Sequence, residues 1–354
     1  MGLGAVVTIG AKNQEWADDR FSAELAGFAP ESFLDTPLEC AELVGRSVLE
    51  RLVERFAAID VESVSILVEA AGPTPIPPFR TDYANVAVEF VRNLNSALGE
   101  QLAAYSQNGI THAFVNSARA YAETDLLDLF CFHREARQPI TRTFDQEGSL
   151  DLSVVDCAKF QWGEFDIFAN TEENETPKYF IREYVNRIYH VRDLRKLAAD
   201  ILRRSCETGP SGKQVRPGVW MDDGADVHRR ARIVAPAYIG CGSKVRADAL
   251  ITRLSDIERN CCIDSGTVIE DSSILEDTTV GICLDLCHAV AHGNKLWNLE
   301  RDVVVEIVDA EVMRFTTARK AVAHSSEPEV PEDVVSRKPG MPGTWQFDTN
   351  FFQE

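Results

Sequence analysis

Cysteine and histidine residues gather near the end of a long repetitive stretch, in the order Cys283-x3-Cys287-His288-x3-His292. Thiolates and imidazoles are good zinc ligands, but zinc sites usually pair close ligand couples in loops. These four residues instead occupy an apolar stretch, where buried reduced thiols are common. The sequence therefore predicts no metal at this position.

Histidine can also act as a general base, because a positioned imidazole deprotonates hydroxyls and amines in transfer reactions. His228, His288 and His292 are the candidates for such a role in acyl transfer. His228 directly follows an apolar position of the repeat described below, so it is expected to face solvent. Acyl transfer to a nucleotide sugar remains an alternative, with His228 and His288 as the residues to test.

The whole 354-residue chain carries a net charge of −20. Such a surface repels nucleic acid and anionic membranes, so neither is expected as a partner. No stretch approaches the ~20 apolar residues of a membrane-spanning helix. The nine cysteines are scattered and odd in number, which is typical of reduced thiols in a cytoplasmic protein.

A six-residue period dominates the second half of the chain. Aliphatic residues recur at every sixth position, namely Val215, Met221, Val227, Ile233, Ile239, Val245, Ile251, Ile257, Ile263, Ile269 and Leu275. A small residue follows each of them four positions later, for example Ser243, Ala249, Ser255 and Cys261. Amphipathic helices would show spacings of three and four instead.

Three such hexads make one triangular coil, with the aliphatic side chain inside and the small residue in a tight corner. The pattern therefore predicts a left-handed parallel β-helix with an irregular cap over residues 215–312. Its regular part is expected to end at Gly281, and Val303–Val308 is expected to form a strand of the cap.

The first half alternates between strand and helix patterns, which favours a mostly parallel sheet covered on both faces. The predicted strands are Ala5–Ile9, Ser63–Val68 and Thr111–Val115, and the predicted helices are Arg46–Ala58, Tyr83–Ala104, Leu126–His133 and Arg192–Arg204. We expect one α/β domain over residues 1–205. The stretch 321–354 is rich in Pro, Glu and Ser and is predicted to be a loosely ordered tail.

Three stretches carry a family resemblance: GRSVLERLVERFAAIDVESVSILV (45–68), THAFVNSARAYAETDLLDLFCFHRE (111–135) and VNRIYHVRDLRKLAADIL (185–202). Together with the hexapeptide repeat, they resemble the sugar-1-phosphate nucleotidyltransferases over roughly residues 1–300. The resemblance implies an N-terminal Rossmann-like mixed sheet of the nucleotidyltransferase type. It also implies a nucleotide or nucleotide sugar as ligand and a homo-oligomer formed through the β-helix.

The family's catalytic motifs are degenerate in this chain. Its first strand leads into a G-G-x-G-T-R loop that cradles phosphates with backbone N–H groups, whereas here the corresponding stretch is GAKNQEW (10–16). A Pro-Lys pair of the family corresponds to SFLDTP (32–37), which has no lysine. Gly10 and Lys12 remain as the predicted nucleotide contacts in the first loop.

The resemblance also implies that the two metal-binding carboxylates of the family are replaced. When the chain is aligned with the family pattern at Asp125 and at Asp193, the positions of these carboxylates fall on Arg119 and Arg187. Mg²⁺ requires oxygen ligands and cannot use a guanidinium group, whereas two arginines can hold phosphates without a metal. We therefore predict Arg119 and Arg187 as nucleotide-binding residues, with no metal site and no cofactor.

Three functions follow as hypotheses. The first is a nucleotide-sugar-binding regulatory or scaffold oligomer without Mg²⁺-dependent pyrophosphorylase chemistry. The second is an active enzyme that converts NTP and sugar 1-phosphate to NDP-sugar and pyrophosphate, with Mg²⁺ and with Lys12, Asp35, Asp125 or Asp128 in place of the missing groups. The third is the acyltransferase. Mg²⁺-dependent release of pyrophosphate separates the first two.

Overall fold

The computed structural model describes residues 2–10, 33–34, 36–69, 81, 83, 85–159 and 177–316. All of them lie within one compact unit, Met1–Thr317. Lys12, Asp35 and the predicted tail 321–354 lie outside the described residues.

The first half of the unit is built on a seven-stranded mixed sheet. Its elements are β1 (Gly2–Ile9), β2 (Glu42–Leu43), β3 (Arg46–Ser47), α1 (Val48–Ala57), β4 (Ser63–Glu69), β5 (Val86–Val91), α2 (Leu94–Gln107), β6 (Ile110–Ser117), β7 (Ala120–Ala122), α3 (Leu126–Ala136), β8 (Ile140–Phe144), β9 (Ser149–Asp156), β10 (Lys178–Phe180), β11 (Val185–Arg187) and α4 (Val191–Arg203). The strand order is β10-β8-β9-β6-β1-β4-β5. Strand β1 pairs in parallel with β4 and β6, whereas β9 is antiparallel to both β6 and β8. The prediction of an α/β fold with parallel strands is confirmed.

Both faces of this sheet are covered, which explains why every residue of β1 is buried and why all but Thr8 are apolar. Ala5 and Val7 pack in the same core as the apolar faces of α1 and α4, while Val6 packs on the opposite face with α2. Helix α1 begins with a capping box, in which Ser47 and Glu50 each accept a hydrogen bond from the other's backbone N–H.

The predicted helix Tyr83–Ala104 is wrong in its first half. Val86–Val91 forms β5, which pairs in parallel with β4 at the edge of the sheet. The valines of this segment favour a pleated strand, and the helix begins only at Leu94. Asn93 caps that helix by accepting a hydrogen bond from the Ser96 N–H at 2.9 Å.

The second half consists of short strands: β12 (Lys213–Arg216), β13 (Val219–Met221), β14 (Asp226–Val227), β15 (Arg232–Ile233), β16 (Ala237–Ile239), β17 (Lys244–Val245), β18 (Leu250–Thr252), β19 (Ser255–Ile257), β20 (Cys262–Ile263), β21 (Val268–Glu270), β22 (Ser273–Ile274), β23 (Thr278–Val280), β24 (Asp285–Cys287), β25 (Ala289–His292), β26 (Lys295–Asn298), β27 (Val303–Glu306) and β28 (Met313–Phe315). They form sheet I (β12-β13-β16-β19-β22-β25-β26-β27), sheet II (β14-β17-β20-β23-β28) and sheet III (β15-β18-β21-β24).

Consecutive strands visit the three sheets in turn, so the chain forms a three-sided coil. Within each sheet the coil strands pair in parallel, as Ile239 with Ile257 in sheet I and Ile251 with Ile269 in sheet III. These isoleucines are buried in one common core, as are small corner residues such as Ala249. The inward position of the repeating aliphatic residues is therefore confirmed over most of the run.

Two repeat positions and the predicted end of the run are wrong. Val215 lies on β12, which is antiparallel to β13, and its side chain is exposed. Ile257 pairs with Ile274 rather than with Leu275, because the corner before β22 is one residue shorter than the others. The regular pairing also continues past Gly281, since Ile269 pairs with Leu286 in the next turn of the coil.

The outer face of sheet I packs against the core of the seven-stranded sheet through Tyr238, Leu275, Val290 and Trp297. The displaced Leu275 therefore joins the coil to the α/β half, which explains why it is buried although it points out of the coil.

A buried carboxylate also links the two halves. Glu258 of the coil accepts hydrogen bonds from the backbone N–H groups of Val44 and Gly45, at 2.6 and 2.9 Å. Both residues lie in the β2–β3 turn at positive φ, and a Cβ atom on Gly45 would collide with the Tyr238 hydroxyl. Glycine is therefore required at this turn.

More acidic than basic side chains surround this link. The carboxyl groups of Glu42, Asp256, Glu258 and Glu276 are all buried. Arg259 pairs with Glu42 at 2.9 Å, and Arg195 of α4 approaches Asp256 at 3.5 Å. Burial raises the pKa of Asp256 to about 6 and that of Glu276 to about 7, and it also raises the pKa of Glu258.

We expect Ile257→Ala to lower the free energy of unfolding by about 2–5 kcal/mol, because it leaves a cavity in the coil core. The matched change Val215→Ala should alter it by less than about 0.5 kcal/mol, since that side chain is exposed. Urea unfolding followed by circular dichroism measures both. Equal losses would contradict the inward and outward assignments.

Glu276 should make the stability depend on pH. Its folded-state pKa is raised, so its contribution is fully present below the unfolded value and is lost as pH rises through about 7. Relative to Glu276→Gln, the wild type should lose on the order of 1–3 kcal/mol between pH 4.5 and pH 8. Urea titrations of both proteins across this range measure the difference, and parallel pH profiles would contradict it.

Candidate functional site

The carboxyl ends of β1, β4 and β6 meet at one edge of the sheet, because these strands are parallel. Open α/β sheets bind ligands at the carboxyl ends of their strands. The binding site lies where successive crossover connections leave the same strand in opposite directions, which is called the topological switch point. Strand β1 occupies that point, with β4 on one side and β6 on the other. Gly10 follows β1 and Arg119 follows β6.

Arg119 connects these two strand ends. Its Nη2 donates a hydrogen bond to the Gly10 carbonyl oxygen at 3.0 Å, and the side chain is half-buried. The turn that carries it is fixed, because β7 pairs antiparallel with β11 and the Ile188 N–H donates to the Arg119 carbonyl at 2.6 Å. The predicted residues Gly10 and Arg119 are therefore in contact.

Arg187 ends β11 and faces Ala120 across the β7–β11 ladder, next to Arg119. Its guanidinium makes a bidentate ion pair with Asp145 at 2.5 and 2.7 Å and a contact with Glu147 at 3.0 Å. Burial by itself would raise the pKa of Asp145, but the hydrogen bonds and positive charge of Arg187, together with the backbone N–H groups of Glu147 and Gly148, lower that pKa. The Arg187 guanidinium is therefore already paired with carboxylates of the β8–β9 turn.

Asp151 on β9 lies within the field of both arginines. Burial raises the pKa of its carboxyl group, and Arg119 and Arg187 oppose that rise. Burial likewise raises the pKa of Glu39, although its own backbone N–H and Arg119 oppose that rise. The Tyr189 ring is half exposed, and burial and Asp151 raise the pKa of its hydroxyl.

The site therefore contains two arginines, two carboxyl groups and a tyrosine. Sequence reasoning identified the two arginines but missed Glu39, Asp151 and Tyr189. Asp151 is one polar residue in an alternating strand, and no feature of its immediate sequence distinguishes it from a solvent-facing position.

A small cavity lies beneath Asp151 and Asn116, with a volume of about 10 Å³. This is room for about one water molecule. The cavity is therefore too small for a nucleotide.

Asp125, a weak catalytic candidate from the sequence, is the N-cap of α3. It accepts hydrogen bonds from the N–H groups of Leu127 and Asp128 at 2.9 and 3.0 Å. The Asp128 carboxylate accepts a hydrogen bond from the Tyr179 hydroxyl at 2.6 Å. Helix capping accounts for Asp125, and in the part of the chain that the structure describes neither aspartate contacts Arg119.

The histidine candidates lie on separate parts of the coil. His228 is exposed after β14, and its Nδ1 accepts a hydrogen bond from the Arg230 N–H at 3.2 Å. His288 is exposed after β24 and its Nδ1 lies 2.7 Å from Asp271, whose other oxygen accepts a hydrogen bond from Arg195. His292 is buried with its ring against Phe315.

Cys283 is exposed and Cys287 is half-buried. Among the residues that the structure describes, no group of three or more His, Cys, Asp or Glu is arranged to hold a metal ion.

No protein-family model matches the chain, and no curated protein is similar to it in sequence. None of the helices in the described ranges is long and apolar enough to cross a membrane.

Replacing Asp145 by Asn should lower the free energy of unfolding at pH 7 by about 1.5–3 kcal/mol, because hydrogen bonds to the charged Arg187 are weakened. The pKa of Asp145 is lowered in the folded state, so this stabilisation is present above pH 3.8 and is lost as pH falls through the folded pKa.

Glu147→Gln is the control, because this carboxylate contacts the same arginine but its side chain is 78% exposed. We expect it to change the free energy of unfolding by less than about 1 kcal/mol. Urea unfolding at pH 7 and pH 3 compares the two variants. Equal effects at pH 7, or an Asp145 effect that is undiminished at pH 3, would count against the role of the buried ion pair.

Proposed function

We propose that this protein binds the phosphate groups of a nucleotide or nucleotide sugar at the carboxyl ends of β1 and β6, without Mg²⁺. One observation carries the proposal: the Arg119 guanidinium bridges the two strand ends by donating to the Gly10 carbonyl. A fixed guanidinium at this edge can donate paired hydrogen bonds to phosphate oxygens.

The chemistry of the two arginines supports binding without a metal. The resemblance to sugar-1-phosphate nucleotidyltransferases places Mg²⁺-binding carboxylates at the positions of Arg119 and Arg187. Guanidinium groups cannot ligate Mg²⁺, so these residues do not fit that ion. Arg119 then supplies the phosphate contacts, while Arg187 adds positive charge and fixes the β8–β9 turn through Asp145.

The surroundings of Arg119 support a specific ligand rather than a free anion. Asp151 can accept a hydrogen bond from a sugar hydroxyl beside the bound phosphate. The exposed ring of Tyr189 offers an apolar surface for a base or a sugar. Strand β9 carries Asp151 and the β7–β11 ladder precedes Tyr189, so both groups lie on or next to paired strands, which reduces the cost of ordering them on binding.

We further propose that the α/β half has the Rossmann-like nucleotidyltransferase fold and that the three-sided coil is a left-handed β-helix. The central position of β1 and the recurring parallel pairs of the coil support this assignment. The protein would then act as a cytoplasmic binding subunit of nucleotide-sugar metabolism, regulatory or scaffolding in role, without pyrophosphorylase turnover.

Calorimetric titration of ATP, GTP, UTP, CTP, dTTP and their common sugar conjugates tests the proposal, with EDTA and then with Mg²⁺. We expect one ligand to bind in EDTA and Arg119→Ala to weaken it by about tenfold or more, because charged hydrogen bonds are lost. Arg119→Lys should recover part of the affinity, since it keeps the charge but not the fork.

Arg229→Ala on the exposed surface of the coil is the matched control and should leave the affinity within about twofold. Binding that requires Mg²⁺, accompanied by release of pyrophosphate, would replace this proposal with the active enzyme. Binding in EDTA that is indifferent to Arg119→Ala would place the ligand elsewhere.

A further inference from the structure

Two carboxyl groups of the coil lie on the same face at the joint with the α/β half. Ile257 points into the coil, so Asp256 and Glu258, which flank it along the chain, both point out of sheet I. Both side chains are fully buried. Two ionised carboxylates in such a place repel each other and lose their hydration, so ionisation of both is unfavourable.

The hydrogen bonds of this pair are incomplete. Glu258 accepts the N–H groups of Val44 and Gly45 with its two oxygens. The Oδ1 atom of Asp256 accepts a hydrogen bond from the Ser273 hydroxyl at 2.8 Å. Among the residues that the structure describes, the buried Oδ2 atom of Asp256 has no hydrogen-bond partner. An unsatisfied buried acceptor is costly, and a proton on the neighbouring carboxyl group supplies the missing donor.

Positive charge near the pair does not compensate for two anions. Arg195 Nη1 lies 3.5 Å from Asp256 but makes no hydrogen bond within the described residues, and Nη2 donates to Asp271. Arg259 is paired with Glu42 at 2.9 Å. The other charged or titratable groups that face the pair from the surrounding elements are Glu42 of β2, Arg51 of α1, Asp222, Tyr238, Cys261 and Glu276.

The pKa shifts of the two carboxyl groups agree with this geometry. Burial is the largest cause that raises the pKa of Glu258, and the charges of Asp256 and Glu42 raise it further. The backbone N–H groups of Gly45 and Val44 oppose this rise. Burial also raises the pKa of Asp256, and a hydrogen bond with Glu258 is among the opposing causes. Protons held by two strongly interacting groups belong to the pair rather than to either residue.

We propose that Asp256 and Glu258 share one proton and form a pH-sensitive latch that holds the β2–β3 turn on the coil. When the proton is lost, the two buried anions repel each other and the turn separates from Glu258. This inference is independent of the proposed nucleotide binding, because the latch acts in the protein without a ligand.

The latched turn is close along the chain to the candidate site. A short 3₁₀ helix, Leu38–Cys40, comes just before β2. It carries Glu39, a buried residue that lies in the field of Arg119. Opening of the turn therefore releases one end of the segment that brings Glu39 to the site, so that protonation of the latch and the environment of Arg119 are linked.

The direction of the pH dependence follows from the raised pKa of Glu258. Stabilisation of the closed turn is fully present below the ordinary value of 4.5 and is lost as pH rises through the folded-state pKa. Between these two values, one proton held only by the closed turn makes the opening equilibrium rise about tenfold for each pH unit.

Hydrogen exchange of the full chain, followed by mass spectrometry between about pH 5 and pH 8, tests the latch. All proteins carry Glu276→Gln, because Glu276 titrates in the same joint. After correction for the intrinsic exchange rate, protection of peptides covering residues 42–47 should fall about tenfold per pH unit. Peptides of α2, which packs on the opposite face of the sheet, should remain more strongly protected at every pH.

Two substitutions separate the members of the pair. Glu258→Gln should make the protection of the turn independent of pH, because an amide N–H replaces the shared proton permanently. Asp256→Asn should reduce the total loss of protection, since it removes the like charge beside Glu258. The control Glu300→Gln, at an exposed position, should keep the full pH dependence.

Circular dichroism establishes that each variant is folded, and the profile of the parent protein tests the latch even where a variant is not. Protection of the turn that does not change with pH in the parent would overturn the proposal. So would a turn that exchanges as slowly as α2 throughout, or a pH dependence that survives Glu258→Gln. A loss that Asp256→Asn leaves undiminished would overturn the sharing of the proton.

Discussion

The buried carboxylate of Glu258 is the contact on which the architecture depends most. It receives the N–H groups of Val44 and Gly45 and so attaches a two-residue turn of the α/β half to the coil. A buried backbone N–H needs an acceptor, and here the coil supplies it. The same turn leads into Ser47, which caps the N-terminus of α1. The position of that helix is therefore tied to the coil.

This joint is unusual in its charge. Four carboxyl groups are buried against fewer arginines, and burial raises the pKa of three of them. A buried ion pair often contributes little net stability because both ions lose their hydration. Apolar contacts of Tyr238 and Leu275 with the α/β core therefore supply much of the attachment, while the polar groups fix the relative position of the two halves.

Fixing that position matters for the candidate site. The β7–β11 ladder places Arg119 and Arg187 next to each other, and α4 follows directly after β11. Helix α4 is itself held to the coil, because Arg195 donates to Asp271 and to the Leu254 carbonyl. The coil thus supports the arginines indirectly, through the helix that follows their ladder. The proposed binding of phosphates without a metal would benefit from such rigid support.

The sequence by itself determined the coil and the alternating α/β half, because a strict six-residue period and alternating strands and helices are local patterns. It also predicted Arg119 and Arg187 as nucleotide-binding residues, through a resemblance to the motif positions of a family. It could not determine that Ile274 rather than Leu275 points inward, since one shortened corner shifts the register and only strand pairing reveals it. Nor could it show that Asp151 and Tyr189 lie near the two arginines, or that Asp145 forms an ion pair with Arg187. Asp145 and Asp151 are far from Arg187 along the chain, and only the tertiary structure brings them together.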